Sequence, residues 1–192
     1  MRTLIVYESM YGNTHVIADR IAEGLRPHGE VHVVPVADAT ANEVTWADLV
    51  VVGGPTHAHG MTSSATRKSA ADAVAKPNST LTLDPDVEGP GLRDWFDSLE
   101  PVTDKRAAAF DTRIDMAAVL TGRASRGITR RLRKHGFTTV GDSESFLVDK
   151  HSALVDGEGE RAQKWGEQLA HSYQWPPVAH EPGYHEGIGR TP

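Results

Sequence analysis

Six consecutive residues near the start of the chain, Ser9-Met10-Tyr11-Gly12-Asn13-Thr14, combine hydroxyls, a carboxamide and a glycine. They follow an apolar run, Leu4-Ile5-Val6-Tyr7, that reads as a buried strand. They precede Val16, Ile17, Ala18, Ile21, Ala22 and Leu25, which recur at helical spacing. Backbone N–H groups at a helix start have no partner within the helix and carry partial positive charge. A phosphate satisfies them. Ser9, Asn13 and Thr14 add side-chain donors, and Gly12 allows close backbone approach. The plainer alternative is that Asn13 or Thr14 caps the helix. No Gly-Lys-Ser/Thr closes the turn, and the spaced glycines of a dinucleotide fingerprint are missing. A phosphate held here without lysine or magnesium is expected to be a monoester rather than a triphosphate.

A second polar turn, Gly53-Gly54-Pro55-Thr56-His57-Ala58-His59-Gly60-Met61, follows the continuous apolar run Leu49-Val50-Val51-Val52. Such a run suits a central parallel strand covered on both faces. A third, Asp111-Thr112-Arg113-Ile114-Asp115, follows Ala107-Ala108-Ala109-Phe110. Ligands of open parallel sheets sit outside the carboxyl ends of the strands. The first two, polar and glycine-rich at equivalent positions, therefore point to one site more strongly than either alone. His57-Ala58-His59 has metal-like spacing, but no carboxylates of suitable spacing stand near it, so no metal is expected.

The elements that position these turns alternate. Glu30 to Val36 reads as a second strand. Leu92, Trp95, Phe96 and Leu99 recur at i, i+3, i+4 and i+7 and predict an amphipathic helix. Gly122 to His135 predicts another, with Ile128 and Leu132 inward. Its Arg123, Arg126, Arg130, Arg131, Arg133 and Lys134 make a basic surface suited to a solvated face, an acidic partner or a 2′-phosphate. Phe137 to Val148 predicts a fifth strand interrupted at Gly141-Asp142-Ser143, and about Gly157 to Tyr173 a last helix. Strand and helix in alternation imply a doubly wound α/β sheet. Residues 62–91 form a long excursion in which Thr66 to Ala75 could be helical, and Arg67 and Lys68 read as solvated charges. The domain is expected over 1–173, followed by an irregular tail over 174–192.

The 192 residues suffice for one domain, and 39% hydrophobic against 24% charged residues imply a folded chain. A net charge of −6 argues against nucleic acid as the main partner. The absence of cysteine excludes disulfides, thiol catalysis and Cys-bound metal clusters. No apolar run reaches membrane length, and Met1-Arg2 leads straight into the first strand, so a cytoplasmic protein without a membrane partner is expected.

Tyr7-Glu8-Ser9-Met10-Tyr11-Gly12-Asn13-Thr14 resembles the FMN phosphate loop of flavodoxin-like proteins. Gly54-Pro55-Thr56-His57 through Gly60-Met61 is similar to their isoalloxazine loop, nearest to the form in flavodoxin-like NAD(P)H:quinone oxidoreductases. The resemblance implies a three-layer fold with a parallel five-stranded sheet of order 2-1-3-4-5. It implies FMN as cofactor, with Ser9, Met10, Tyr11, Gly12, Asn13 and Thr14 at the phosphate. Pro55, Thr56, His57, His59 and Gly60 would line the ring, and Asp111, Thr112 and Arg113 would form its third side. Glu8 is expected to point away from the anion. No residue is assigned a catalytic role. The implied function is electron transfer, with a redox partner protein, or NAD(P)H and a small acceptor, and a homo-oligomer as an option. An FMN-dependent NAD(P)H:quinone-type enzyme and a flavin-free or deazaflavin-binding module are the alternatives. Neither ring loop holds the Trp or Tyr that shields the flavin in electron-carrier flavodoxins. FMN would then bind weakly, or be covered by an aromatic from the excursion or a second subunit, or lie open to a substrate.

Overall fold

The computed structural model describes residues 1–57, 59–79, 81–87 and 89–174. In chain order the elements are β1 (Arg2–Tyr7), α1 (Asn13–Leu25), β2 (Glu30–Pro35), α2 (Ala41–Trp46), β3 (Leu49–His57) and β4 (Gly60–Met61). They continue with α3 (Ser64–Val74), α4 (Leu92–Ser98), β5 (Arg106–Ile114), α5 (Ala118–Thr121) and α6 (Ala124–Lys134). The last are β6 (Thr138–Thr139), β7 (Glu144–Val148) and α7 (Glu158–Gln174). Residues 175–192 of the expected tail lie outside the described residues.

Strands β2, β1, β3 and β5 run parallel in that order. The fifth place in the sheet is shared: β6 pairs with Arg106 and Ala107 at the start of β5, and β7 pairs with Phe110 through Ile114 at its end. The break between them falls at the Gly141-Asp142-Ser143 interruption. The expected order 2-1-3-4-5 thus stands, with the fifth strand in two pieces. An added β4 folds back antiparallel on Thr56 and His57, making seven strands among the described residues.

The sheet is covered on both faces, which is why its central strands are apolar throughout. Leu4, Val6, Val50, Val52, Ala107 and Ala109 meet Val44 of α2, Trp95 and Phe96 of α4, and Ile128 and Leu132 of α6. On the other face Ile5, Val51, Ala108 and Phe110 meet Ile17, Ile21 and Leu25 of α1 and Trp165 and Leu169 of α7. Burying one large aliphatic or aromatic side chain contributes about 1.5–3 kcal/mol, so these two layers dominate stability. Val16 departs from the expected inner face of α1: it is 45% exposed. The apolar stripe runs instead through Ile17, Ala18, Ile21, Ala22 and Leu25.

Phe110 explains Gly53. The two residues are sheet partners, and a Cβ on Gly53 would lie 2.0 Å from the Phe110 ring. The Phe110 ring lies in the space a side chain at 53 would need, on the α1/α7 face of the sheet.

Candidate functional site

The turn after β1 begins α1 in an unusual way. Gly12 is the residue before the helix, at φ 88°, and no side chain caps it. Capping by Asn13 or Thr14 is therefore not what happens here. Ser9 is buried, and its hydroxyl accepts from Gly12 N at 3.1 Å. The Asn13 carboxamide donates to Ser152 O at 2.7 Å, and Thr14 Oγ1 meets Thr112 Oγ1 at 2.8 Å. Val16 N bonds Gly12 O at 3.0 Å, which leaves the N–H groups of Asn13 and Thr14 without acceptors inside the helix. The first turn of α1 holds no acid. A left-handed glycine and an uncapped helix start make a cradle that suits a phosphate. Asp84 approaches the cradle: its N–H bonds Met10 O at 2.8 Å, and its carboxylate lies 3.6 Å from His15 Nδ1.

Beside this cradle lies a cavity of about 300 Å³. Its walls come from the carboxyl ends of four elements. Met10, Tyr11, Asn13 and Thr14 contribute from the first turn and Pro55, Thr56 and His57 from β3. Thr112, Arg113 and Ile114 contribute from β5 and Val148 through Lys150 and Ser152 from the turn after β7. Arg113 and Lys150 supply positive charge. Arg113 is held by its own loop, donating to Met116 O at 2.6 Å. The carboxylate of Asp149 accepts from His151 N and Ala153 N, which holds its pKa below the usual range. Burial pushes the Tyr11 phenol up, and its hydroxyl faces Ala70 O at 3.4 Å.

Several expected residues lie elsewhere. His59 and Gly60 are turned away from this cavity because β3 extends to His57 and then doubles back. His59, at φ 71°, bridges Gly122, and both His59 and Gly60 line a separate cavity against α6. Asp111-Thr112-Arg113-Ile114 is strand rather than turn, since β5 keeps pairing with β3 through Thr112 and with β7 through Ile114. Asp111 is fully buried beneath the site. Its Oδ2 accepts from Ser125 N at 2.7 Å and thereby caps α6. Its carboxyl lies among the hydroxyls of Ser125, Ser145 and Thr56, and its other oxygen makes no hydrogen bond among the described residues. Burial raises its pKa against the Ser125 N–H, which favours the ionised form.

The excursion is fastened rather than loose at its two ends. Glu8, 5% exposed, accepts from Leu92 N at 2.8 Å and from the Thr62 hydroxyl, and faces Arg67 at 3.7 Å. Arg67, expected as a solvated charge, is only 16% exposed and also pairs with Asp94 at 3.2 Å. Residues 62–90 contain no aromatic side chain, so the excursion supplies no ring to cover a flavin. Among the described residues, the rings at the cavity are Tyr11 and His57.

The 148–152 turn was not among the expected site residues. Its signal was present: Asp149-Lys150-His151-Ser152 is a polar run at the carboxyl end of the fifth strand, as the other turns are at theirs. Among the described residues no group of three His, Asp or Glu could hold a metal ion, and no helix is long and apolar enough to cross a membrane.

A cavity outside the strand ends of a doubly wound α/β sheet, at an uncapped first helix, lies where open α/β sheets hold their ligands. Residues 4–74 match the flavodoxin domain family. A flavodoxin of Aquifex aeolicus (strain VF5) is 40% identical over 58 residues, 29% of this chain and 31% of that protein, so the match spans about a third of the relative. A flavodoxin from the domain Archaea superposes with a TM-score of 0.61 at 19% identity, covering 91% of this chain and 100% of that one. Flavodoxin 1 of Bacillus cereus gives 0.61 at 22% identity, covering 89% and 98%. The chain has a flavodoxin-like fold along most of its length, and its residues 4–74 resemble the flavodoxin domain in sequence.

Proposed function

We propose that this chain binds FMN in the cavity beside Gly12 and acts in electron transfer. The observation that carries the reading is the uncapped start of α1, whose own first turn has no acid, opening onto a cavity walled by the ends of β3, β5 and β7. Flavodoxins are FMN proteins, which supports the choice of flavin.

The N–H groups of Asn13 and Thr14 would hold the phosphate, and the Ser9 hydroxyl fixes Gly12 so that they converge. Thr14 is locked by Thr112, and Asn13 ties this turn to Ser152, so the phosphate and ring ends of the site are positioned together. Pro55, Thr56 and His57 would face the ring from β3, and Thr112 and Arg113 from β5. Bound FMN would supply a ring that takes up and releases electrons. Arg113 and Lys150, set against the carboxylate of Asp149, leave the cavity wall net positive, which favours an added negative charge there. His57 stands where it can donate a hydrogen bond into the cavity. The aromatic lining is small, so part of the ring stays open to an acceptor or a redox partner protein.

Titrating the full chain with FMN tests this. Quenching of flavin fluorescence with a thermal upshift is expected, and riboflavin, which lacks the phosphate, should bind more weakly. Equal binding of the two would remove the phosphate role of the α1 start. No binding of either would end the reading.

A further inference from the structure

The β3–β4 hairpin has a second side. His57 lines the cavity just described, whereas His59, Gly60 and Met61 line another, of about 470 Å³. Its remaining wall comes from Arg93 of α4 and from Gly122 through Arg131 around α6, so five arginines contribute: Arg93, Arg123, Arg126, Arg130 and Arg131. No carboxylate lines it among the described residues. Arg131 is partly neutralised by Asp97 at 2.8 Å. Arg93 is held in place by the carbonyls of Thr62 at 2.6 Å and Met61 at 2.9 Å, which orient the guanidinium without cancelling its charge. The wall is tightly built: Gly122 lies against the His59 carbonyl, and a Cβ on Gly127 would touch Met61 at 3.4 Å.

This arrangement is unfavourable by itself. Arg126 and Arg130 stand four residues apart on α6, where like charges repel. The whole chain carries a net charge of −6, so the concentration of arginine here is local. Guanidinium groups converging on a concave site match phosphate oxygens in pairs. A flat acidic protein surface would reach the exposed arginines, but not the enclosed wall formed by Arg93, Gly122 and Gly127.

We propose that this cavity binds a small organic polyphosphate, the phosphates of a nucleotide, on the opposite side of the hairpin from the flavin pocket. Its meaning as the seat of a nucleotide electron donor rests on the FMN reading of that pocket, but the binding does not.

The test uses calorimetric titration of the full chain with inorganic pyrophosphate, NADH and NADPH, at low and high salt. Arg126→Ser and Arg130→Ser replace exposed side chains, and Arg133→Ser on the same helix, outside this cavity, is the control. Pyrophosphate should bind, weaken with salt, and lose about tenfold or more in affinity with each cavity arginine removed. The control, which loses only its hydrogen bonds to Thr139, should bind pyrophosphate as the unaltered chain does. The two cavity variants should melt no lower without ligand, since each removes a repulsion, and should bind FMN as before. Tighter binding of NADPH than NADH would identify the 2′-phosphate as an anchor. Equal binding, displaced by pyrophosphate, would identify the diphosphate; either supports the site. No binding of any of the three, binding unchanged in both variants, or capture of poly-glutamate alone would overturn it. Arginine-dependent pyrophosphate binding in a chain that refuses FMN would leave this site standing and remove the flavin reading.

Discussion

Gly12→Ala separates local geometry from general stability. Gly12 sits at φ 88°, and a residue with a Cβ costs roughly 1–2 kcal/mol in that region. Crowding adds little, because the nearest atom to an added Cβ is Asp84 Oδ2 at 3.9 Å. The penalty is therefore backbone strain alone, and it must appear somewhere. If the turn keeps its shape, the strain appears as lost stability. In a chain of this length that lowers Tm by about 2–8 °C without ligand. If the turn relaxes, Tm is spared, but the N–H groups of Asn13 and Thr14 no longer converge. The same free energy then returns as FMN affinity weakened by about 5- to 30-fold.

Gly157 supplies the control. It has nearly the same φ, 84°, with nothing within 4 Å of an added Cβ, and it does not line the cavity. Gly157→Ala should lose the same few degrees and bind FMN normally. The assays are thermal unfolding of ligand-free protein by circular dichroism and flavin-fluorescence titration. In Gly12→Ala the stability loss and the binding loss should sum to about 1–2 kcal/mol. A variant with unchanged Tm and unchanged FMN affinity would refute the reasoning. So would an equal loss of FMN affinity in Gly157→Ala.

Arg113→Ala should lower the reduction potential of the FMN complex by something on the order of tens of millivolts, since it removes a positive charge from the cavity wall. His57→Ala should also move it, and His59→Ala should leave it unchanged because His59 lies on the other side of the hairpin; spectroelectrochemical titration of the three variants decides. Glu8→Ala should destabilise the chain by about 3 kcal/mol, since it leaves Arg67, Thr62 and Leu92 N without their shared carboxylate. Proteolysis between residues 62 and 91 should accelerate with it, and unchanged cleavage would show that Glu8 does not fasten the excursion. Asp111→Asn tests the buried carboxyl. Burial raises its folded-state pKa, so its neutral form is favoured in the folded protein, and wild-type stability falls as pH rises from the unfolded value near 4 through the folded one. The variant should lack that slope, matching wild type in acid and equalling or exceeding it at neutral pH. A variant that loses stability only at neutral pH would mean that the carboxylate is held charged and needed.

The first turn was legible because its evidence was local: an apolar run, a glycine among hydrogen-bonding residues, then helical spacing. The split fifth strand was legible for the same reason, through the glycine at its break. Asp111 to Ile114 misled because polarity at a strand end has two causes. A turn exposes polar groups to water, whereas here Asp111 and Thr112 stay in the sheet and meet Ser125 N and Thr14 across 14 and 98 residues of chain. Arg67 misled in the same manner, since its partner Glu8 is 59 residues away and nothing in the local pattern shows that a charge will be buried. Periodicity reports which side of an element is wet. It does not report which polar groups will find each other once the sheet is assembled.

The hairpin at residues 53–61 shows how far such long-range pairing decides function. Read as a single polar loop, it offers both histidines to one ligand. In the sheet, Pro55 pairs with Thr112, so the strand continues straight past the point where a turn was expected and delivers His57 to the strand-end cavity. The chain must then reverse in very few residues, and it does so through His59 at φ 71° and the pairing of Gly60 with His57. That reversal rotates His59 onto Gly122 and places it among the arginines of α6. Shortening β3 by one pair would move both histidines to one side. Replacing Thr112 with proline removes the N–H that β5 offers at this register and should do so. In that variant the His59→Ala change, silent in the parent, should begin to shift the reduction potential. If it stays silent, the register of β3 on β5 does not set which histidine reaches the ring.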